Sequence, residues 1–197
     1  SWPRGGCAEI SGTARFAGQE KMTVAPAIPV LETERLRLRG WRNEDLDAFA
    51  DFCASEAVAR FVGGACGRSD AWRRIAGQIG HWALRGYGSW VLEEKASGRW
   101  VGYSGLWNPH GWPEAEVMWG LASTAHGRGY ATEAARRSRD FAYAQLGWTT
   151  LISCIAPENS PSQRVAARLG ATHERTMELR GATVGIYRHP GPGKLNS

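Results

Sequence analysis

The order of strand-like and helix-like segments is the feature that most restricts what this chain can fold into. Three strand-like segments, 87–95, 99–108 and 114–122, follow one another with only turn residues between them. After them come a helix near 129–146, a strand near 149–156, a helix near 161–169 and strands near 171–179 and 183–188. An antiparallel meander followed by alternating elements predicts one α/β domain whose mixed sheet carries helices on both faces. The connection from the third meander strand to the strand near 149–156 is predicted to be a right-handed crossover.

The sequence before the meander is predicted to add one strand and two helices. In "LETERLRLRGW", Leu36 and Leu38 alternate with charged residues, which indicates a strand and brings the predicted total to seven. Asn43 is suited to cap one helix, and Ser69 is predicted to begin another. The predicted inward stripes are Leu46, Phe49, Ala50 and Cys53 in the first helix and Trp72, Ile75, Ala76 and Ile79 in the second.

The ends of the chain differ in composition from the rest. Residues 1–30 are rich in Gly, Ala and Pro without periodicity, and they are expected to form a poorly ordered extension. Met22 is a candidate natural start, which would make the residues before it upstream sequence. A single domain is expected over 31–190, followed by a short tail over 191–197.

Charge and cysteine usage narrow the functional class. Twenty-four basic against 19 acidic residues give a net charge of +5, and nearly all the positive charge is Arg. This suits an anionic ligand, but there is no dense basic run, so direct nucleic-acid binding is not expected. No apolar segment is long enough to span a membrane. The four cysteines lack zinc spacing, so we expect no metal site, reduced thiols and a cytoplasmic location.

The loop before the 129–146 helix is a candidate phosphate site. Gly127 and Gly129 allow a tight turn and close approach of an anion to the backbone. The first N–H groups of a helix lack intrahelical partners and lie at the positive end of its dipole. Thr132 breaks the dinucleotide pattern G-x-G-x-x-G, and no triphosphate loop G-K-[ST] is present. These residues alone leave a phosphate cradle and a structural turn both open.

The helix that follows this loop is predicted to pack through small residues. The predicted sheet-facing residues are Ala131, Ala134, Ala135, Ser138, Phe141 and Ala142. Arg136, Arg137 and Arg139 are interpreted as a solvated face. Two ion pairs with i,i+4 spacing are predicted, Glu133–Arg137 and Arg136–Asp140.

A second set of polar residues occurs in "PENSPSQRVAARLGA". Ser160 as N-cap, followed by Pro161 and Gln163, forms a capping-box pattern. Asn159 and Ser162 are left without a structural explanation, and both follow the carboxyl end of a strand. Open α/β sheets place their ligands at such ends.

Three segments in this order resemble the GNAT superfamily of acyl-CoA-dependent N-acetyltransferases: "LETERLRLRGW", "GRGYATEA" and "ENSPSQRVAARLGA". The resemblance is nearest to the RimJ/RimL-like ribosomal-protein N-terminal acetyltransferases and spans about residues 30–190. It implies a GNAT-type fold, a mixed, mostly antiparallel seven-stranded sheet. It also implies that acetyl-CoA, as co-substrate, lies where strands 114–122 and 149–156 splay apart.

The resemblance also implies which residues contact the co-substrate. The family's diphosphate loop, Q/R-x-x-G-x-G/A, maps onto Thr124 to Gly129, with Thr in place of Gln or Arg at the first position. The backbone groups that would cradle the diphosphate are those of His126, Gly127, Arg128, Gly129, Tyr130 and Ala131. Met118, Trp119 and Leu121 would offer backbone groups to the pantetheine arm. Asn159 would hydrogen-bond the co-substrate, and Ser162 would lie near the thioester sulfur.

Amine acetylation needs a proton acceptor and a proton donor. The attacking amine must be neutral and the departing thiolate must be protonated. Glu116 is the candidate base, directly or through water, and Glu114 on the same strand is its rival. Both are also interpretable as strand-face carboxylates. A related branch places its base in the segment that reads "ELRGATV" here, where no carboxylate stands near Gly181. Ser162 is the candidate proton donor, and it is equally interpretable as a helix-start serine.

The remaining aromatic, histidine and cysteine residues carry weaker functional signals. His110 and Tyr187 are candidates for the acceptor side, although a loop position explains His110 as well. Cys154, on an apolar strand, is interpreted as core. Four tryptophans are interpreted as core rather than as a substrate box: Trp72, Trp82, Trp90 and Trp107.

The function expected from the sequence is acetyl transfer from acetyl-CoA to a primary amine by direct attack within a ternary complex. A protein N-terminus and a small-molecule amine are both open as acceptor, and a homodimer is also open. The alternative is a non-catalytic acyl-CoA-binding or regulatory domain on the same fold. A basic RNA- or ribosome-binding protein is a third hypothesis, distinguished by a steep salt dependence of binding.

Overall fold

The computed structural model describes residues 27–194. Most of the predicted extension 1–30 and part of the tail 191–197 therefore lie outside the described residues. Two of the four described residues of the extension contact the domain. Ile28 packs against the core, and the Pro29 carbonyl accepts a 2.8 Å hydrogen bond from the Nε1 of the buried Trp90.

The element order follows the sequence prediction closely. The helices are α1 (Leu46–Ala54), α2 (Glu56–Ala59), α3 (Arg68–Arg85), α4 (Tyr130–Gln145) and α5 (Ser160–Arg168). The strands are β1 (Leu31–Glu32), β2 (Leu36–Arg39), β3 (Ser89–Glu94), β4 (Trp100–Trp107), β5 (Glu116–Leu121), β6 (Ile152–Ile155), β7 (Thr172–Leu179) and β8 (Ala182–Arg188). Short 3-10 turns occupy Asn43–Asp45, Ser123–Ala125 and Pro192–Lys194.

The described residues form one mixed sheet of eight strands rather than the predicted seven, in the order β1-β2-β3-β4-β5-β6-β8-β7. The additional strand is β1, which pairs Leu31 with Leu38 after the chain turns back at Thr33. A segment of two residues is too short to show a periodic pattern, so β1 could not be predicted from local sequence. The meander β3-β4-β5 is antiparallel as predicted, and β5 runs parallel to β6.

Helices cover both faces of the sheet. Helix α4 packs through small residues such as Ala134 and Ala135 against one face, in the same core as Leu36 and Trp90. Helices α1 and α3 pack on the other face around Val91 and Tyr103. Adjacent residues of β3 enter opposite cores because successive strand side chains point to opposite faces.

Helix α3 presents a different face to the core from the predicted one. Its buried residues are Ala71, Ile75, His81 and Trp82, whereas Trp72 is 52% exposed and Ile79 is 37% exposed. The small Ala71 takes the close-packing position, and the large neighbouring Trp72 is left outside. The prediction that Trp72 is core is therefore wrong, while Trp82 and Trp90 are buried as expected. No helix within residues 27–194 is both long and apolar enough to cross a membrane.

Strands β5 and β6 diverge almost from their first contact. Their only paired residues are Glu116 and Ile152, supported by a 3.0 Å bond from the Ile152 N–H to the Ala115 carbonyl. Further along, the Ser153 hydroxyl bonds the Val117 carbonyl at 2.6 Å, so a side chain replaces the regular ladder. The sheet therefore opens between β5 and β6, the fifth and sixth of its eight strands.

Candidate functional site

A cleft of about 1220 Å³ begins at this opening. It is lined by the end of β5, the loop 123–129, the first turns of α4 and the start of α5. Ligand pockets in proteins commonly enclose about 300–1,000 Å³, so the cleft has room for an elongated ligand. Most of the residues predicted to bind a co-substrate line it: Trp119, Leu121, His126, Gly127, Arg128, Gly129, Tyr130, Ala131, Asn159 and Ser162.

The loop before α4 exposes a row of backbone donors to the cleft. Gly127 and Gly129 have φ of 75° and 81°, and the N-cap Gly129 has no side chain to satisfy the helix. From Gly127 to Thr132, no backbone N–H donates to an acceptor within residues 27–194. Donors that converge at the positive end of a helix dipole suit a phosphate or diphosphate. Of the two interpretations of the loop, these donors support the phosphate cradle.

His126 contributes differently from the prediction. Its backbone N–H donates to the Ser123 carbonyl at 3.2 Å, which removes it from the row of free donors. Its ring Nε2 lies 3.0 Å from the carbonyl oxygen of Leu121 and ties the loop to the end of β5. The free row starts one residue later, at Gly127.

Glu94, a buried carboxylate on β3 that was not predicted as a site residue, contacts the loop on the side facing the sheet. Glu94 accepts hydrogen bonds from the hydroxyls of Tyr130 at 2.5 Å and Ser97 at 2.6 Å, and it pairs with Arg128 at 2.7 Å. The hydrogen bonds from Ser97 and Tyr130, together with the Arg128 charge, lower the pKa of Glu94 to about 2. Because Glu94 binds both side chains, the Arg128 guanidinium lies 4.7 Å from the centre of the Tyr130 ring. In the sequence, Glu94 is one of two adjacent glutamates at the end of a strand, and that pattern does not predict a contact with a loop more than 30 residues away.

Arg35 braces the same loop from the other side. It bonds the Arg128 carbonyl at 2.8 Å, pairs with Glu133 at 2.6 Å and lies 4.8 Å from the Tyr130 ring centre. Glu133 also accepts from the Thr33 hydroxyl at 2.6 Å. The predicted Glu133–Arg137 pair is therefore wrong, because Thr33 and Arg35 in the turn before β2 bind the Glu133 carboxylate.

Glu116 lies at the base of the β5–β6 opening but does not line the cleft. It is 4% exposed, and its two oxygens accept from the Trp112 Nε1 at 2.7 Å and the Cys154 N–H at 2.8 Å. The Glu116 side chain thus accepts the hydrogen bond that a β5 carbonyl would accept from the Cys154 N–H if the two strands stayed paired. Burial raises the pKa of Glu116 to about 7, which makes it able to exchange a proton near neutrality.

The rival carboxylate Glu114 lies in a different environment. Arg188 contacts it at 2.6 Å and Arg175 at 3.1 Å. Hydrogen bonds from Arg188 and Arg175 lower the pKa of Glu114 to about 2. A carboxylate with so low a pKa is a weak proton acceptor, so the geometry favours Glu116 over Glu114.

Asn159 and Ser162 lie together at the start of α5. The N-cap is Asn159 rather than the predicted Ser160, and its Oδ1 accepts from the Ser162 N–H at 3.2 Å. The helix cap therefore explains both residues structurally, which the predicted capping box at Ser160 did not. The Ser162 hydroxyl accepts from the Trp119 Nε1 at 3.2 Å, across the opening from β5. Its own O–H and the Nδ2 of Asn159 have no acceptor within the described residues.

Met118 is placed outside the cleft. Its carbonyl accepts from the Ser104 hydroxyl of β4 at 2.9 Å. The carbonyls of Ala115 and Val117 point instead toward β6, because alternate residues of a strand face alternate edges. By the same alternation Trp119 and Leu121 direct backbone groups into the opening. The prediction that Met118 offers backbone groups to the ligand is therefore not supported.

Neither of the weaker acceptor-side candidates lines the cleft. His110 is exposed in the β4–β5 loop, and Tyr187 packs with Trp119 against a small apolar cluster around Ile155. Cys154 is half-buried, and burial strongly raises the pKa of its thiol. Residues 27–194 contain no cluster of three or more His, Cys, Asp or Glu arranged to hold a metal ion.

Comparison with known proteins gives consistent matches. Residues 35–172 match the family model described as "Acetyltransferase (GNAT) domain". The crystal structure of an acetyltransferase from Agrobacterium tumefaciens str. C58 is 33% identical with a TM-score of 0.76, covering 87% of this chain and 99% of that one. The structure of Mycobacterium smegmatis RimJ in complex with CoA-disulfide is 20% identical with a TM-score of 0.66, covering 82% and 84%; at that identity it shows the shared fold alone.

A curated relative gives less functional information. The protein YkkB of Bacillus subtilis (strain 168), described as uncharacterized, is 28% identical over 107 residues. The match covers 52% of this chain and 62% of the length of YkkB, which is less than two thirds of that relative.

Proposed function

The chain belongs to the GNAT acetyltransferase family, and on that premise we propose that it transfers an acetyl group from acetyl-CoA to a primary amine. Transfer proceeds by direct attack of the amine on the thioester within a ternary complex. The observation that carries the proposal is the row of free N–H groups from Gly127 to Thr132 beside the β5–β6 opening. A diphosphate held there would direct the rest of an extended ligand along the cleft toward Trp119 and Ser162.

The residues present fit acetyl-CoA as co-substrate. Gly127 to Thr132 supply donors for the diphosphate, and Trp119 and Leu121 supply strand backbone groups for the amide-containing pantetheine arm. The Nδ2 of Asn159 adds a further donor at the start of α5.

The proton transfers are assigned to two residues. The neutral amine nitrogen attacks the thioester carbon, the carbon–sulfur bond breaks, and the proton lost by nitrogen passes through water to Glu116. Ser162 donates a proton to the departing thiolate, since its hydroxyl already accepts from Trp119 and its own O–H is free to turn toward sulfur. Ser162 then regains a proton from water, and Glu116 releases its proton to water, so both groups return to their starting states. A backbone N–H at Trp119 polarises the thioester carbonyl.

Direct transfer is favoured over an acyl-enzyme intermediate. Cys154 is the cysteine nearest the opening, and burial raises the pKa of its thiol, which keeps it protonated and weakly nucleophilic.

An α-amino group, with a pKa of about 8, is much more readily neutral at pH 7 than a lysine ε-amine at about 10.4. Protein N-termini and small amines of low pKa are therefore the acceptors to test first.

Thiol release from acetyl-CoA, measured with a panel of peptides and small-molecule amines, tests the proposal. We expect turnover above background with at least one acceptor, and Ser162→Ala and Glu116→Gln should each lower kcat by about 100-fold. Glu158→Gln, an exposed change at the cleft edge, serves as the control. Tight CoA binding without turnover on any acceptor would instead support the non-catalytic acyl-CoA-binding domain.

Location and assembly remain part of the same proposal. We place the protein in the cytoplasm, where acetyl-CoA is available and cysteines stay reduced. Cell fractionation tests the location, and sedimentation at several concentrations tests whether the chain forms a homodimer.

A further inference from the structure

Three arginines at the outer edge of the cleft carry charge that nothing in the described structure neutralises. Arg136 of α4 and Arg164 and Arg168 of α5 all line the cleft and are exposed. None of their guanidinium groups forms a hydrogen bond, ion pair or ring contact within residues 27–194. The predicted Arg136–Asp140 pair is absent, because Asp140 pairs with Arg139 at 3.3 Å.

The other arginines of the cleft have partners within the described residues, although Arg60 has only a ring contact, 4.4 Å from the centre of the Phe61 ring, and no ion pair. Arg35 pairs with Glu133, Arg128 pairs with Glu94, and the Arg137 Nε donates to the Glu32 carbonyl. An anionic ligand would have to compete with these partners. The three unpartnered guanidinium groups have no such competition, so they dominate the attraction of an anion to this edge.

The two helices hold these groups in a fixed arrangement. The buried Arg139 of α4 donates to the Leu169 carbonyl at the end of α5 at 2.8 Å, which joins the helices. Arg164 and Arg168 are one turn apart, about 6 Å along the α5 axis. Arg136 and Arg168 also both line a second surface depression, so the two residues lie between that depression and the cleft. Relative to the first helical residue Tyr130, Arg136 is displaced by about 9 Å along α4.

CoA carries a phosphate that the loop before α4 does not account for. The molecule has a diphosphate and, on its adenosine ribose, a separate 3′-phosphate. The N–H row from Gly127 to Thr132 is suited to the diphosphate, and the three arginines line the same cleft on α4 and α5. We propose that Arg136, Arg164 and Arg168 bind the 3′-phosphate of CoA and make the protein select CoA over 3′-dephospho-CoA. This inference rests on the proposed function.

Calorimetric titration of the full chain with CoA and with 3′-dephospho-CoA at low ionic strength tests the assignment. The wild type should bind CoA more tightly than 3′-dephospho-CoA by at least about tenfold. In the double variant Arg164→Gln/Arg168→Gln, and separately in Arg136→Gln, affinity for CoA should fall by about tenfold while affinity for 3′-dephospho-CoA changes little. Arg85→Gln is the matched control, since Arg85 is exposed on α3 and does not line the cleft.

The outcomes separate this inference from the proposal on which it rests. Equal affinity of the wild type for both ligands, or an equal loss for both in the variants, would overturn the 3′-phosphate assignment and leave the proposed function intact. Failure of the folded wild type to bind either ligand would overturn the proposed function and the assignment together. A loss in Arg85→Gln equal to that in the cleft variants would reduce the effect to net charge and also overturn the assignment.

Discussion

At the scale of single residues, Glu94 shows how one side chain prepares a backbone site. It lies on β3 behind the loop, and its contacts with Tyr130, Arg128 and Ser97 hold the first residue of α4 and the loop before it. Backbone N–H groups bind an anion well only if their directions are set in advance. We therefore propose Glu94 as a positioning residue for the proposed diphosphate cradle.

Replacing Glu94 tests this role. Glu94→Gln keeps the shape but loses the charge that pairs with Arg128, so we expect the KM for acetyl-CoA to rise by about tenfold with a smaller effect on kcat. Steady-state kinetics at saturating acceptor measures both constants. Glu93→Gln is the control, because Glu93 pairs with Arg39 at 2.9 Å and does not contact the loop. An unchanged KM in a folded Glu94→Gln protein would rule the role out.

Glu116 provides a prediction about pH. Since the proposed base must be ionised, kcat/KM should rise with pH through the Glu116 pKa of about 7. The hydrogen bond from Trp112 lowers this pKa, so in Trp112→Phe the acidic limb should move to higher pH. Trp107→Phe, whose ring stacks on His81 at 4.5 Å, should leave the limb in place. A profile in Glu116→Gln with the same acidic limb as the wild type would assign the titration to another group.

At the scale of elements, the start of α5 combines a helix cap and a proposed ligand contact in one side chain. Asn159 caps the helix through Oδ1, and its Nδ2 is free to donate into the cleft. The cap orients Ser162, which the proposed mechanism uses. Structural and ligand-binding contributions of Asn159 therefore need to be separated by substitution.

Two substitutions of Asn159 separate these roles. Asn159→Ala loses both, so the free energy of unfolding should fall by about 1 kcal/mol and CoA affinity should also fall. Asn159→Asp keeps a capping oxygen, so stability should stay near wild type while CoA affinity still falls, because the donor is lost and a negative charge is gained. Denaturant unfolding and calorimetry give the two numbers. If Asn159→Asp binds CoA as the wild type does, Asn159 acts only as a cap.

At the scale of the whole molecule, His189 couples the sheet to the C-terminal end of the domain. It is 2% exposed, its Nε2 lies 2.9 Å from the Ser153 hydroxyl of β6, and its Nδ1 has no partner within the described residues. Burial, together with the charges of Arg139 and Arg188, lowers the pKa of His189 to about 4. The folded state therefore resists protonation of a group that the unfolded chain protonates near 6.5.

The sign of the resulting pH dependence follows from linkage. Below about pH 6.5 the unfolded state binds the proton and the folded state does not, so the free energy of unfolding falls as pH decreases. Between pH 7 and 4.5 His189 should remove roughly 2 kcal/mol of stability. Glu116, with its raised pKa, acts in the opposite direction over the same range, because its stabilising contribution is lost as pH rises.

Denaturant unfolding at pH 7 and 4.5 isolates the histidine contribution. His189→Gln keeps a donor near Ser153 and cannot be protonated, so its loss of stability on acidification should be smaller than that of wild type by roughly 2 kcal/mol. His110→Gln is the control, since His110 is exposed. Equal acid sensitivity of wild type and His189→Gln would show that other groups cause the loss.

Most of the element order followed from local sequence patterns. The meander, α4 and the strands after it were predictable because alternation, helical periodicity and cap residues are properties of neighbouring positions. Errors arose where a long-range partner decided the outcome. Trp72 lies outside because Ala71 packs against the sheet, and Glu133 pairs with Arg35 rather than Arg137 because the turn before β2 lies next to α4.

The sequence by itself determined the fold class, the family and the position of the glycine loop, since these depend on residue type and spacing along the chain. Only the tertiary structure decided which donors of that loop are free, that Glu94 holds it and that Glu116 is buried at the strand opening. It also decided that the side chains of three cleft arginines have no partner within residues 27–194. Each of these is a relation between residues far apart in sequence. Burial, and hence the pKa and charge balance of each group, depends on what the fold places around it rather than on its neighbours in the chain.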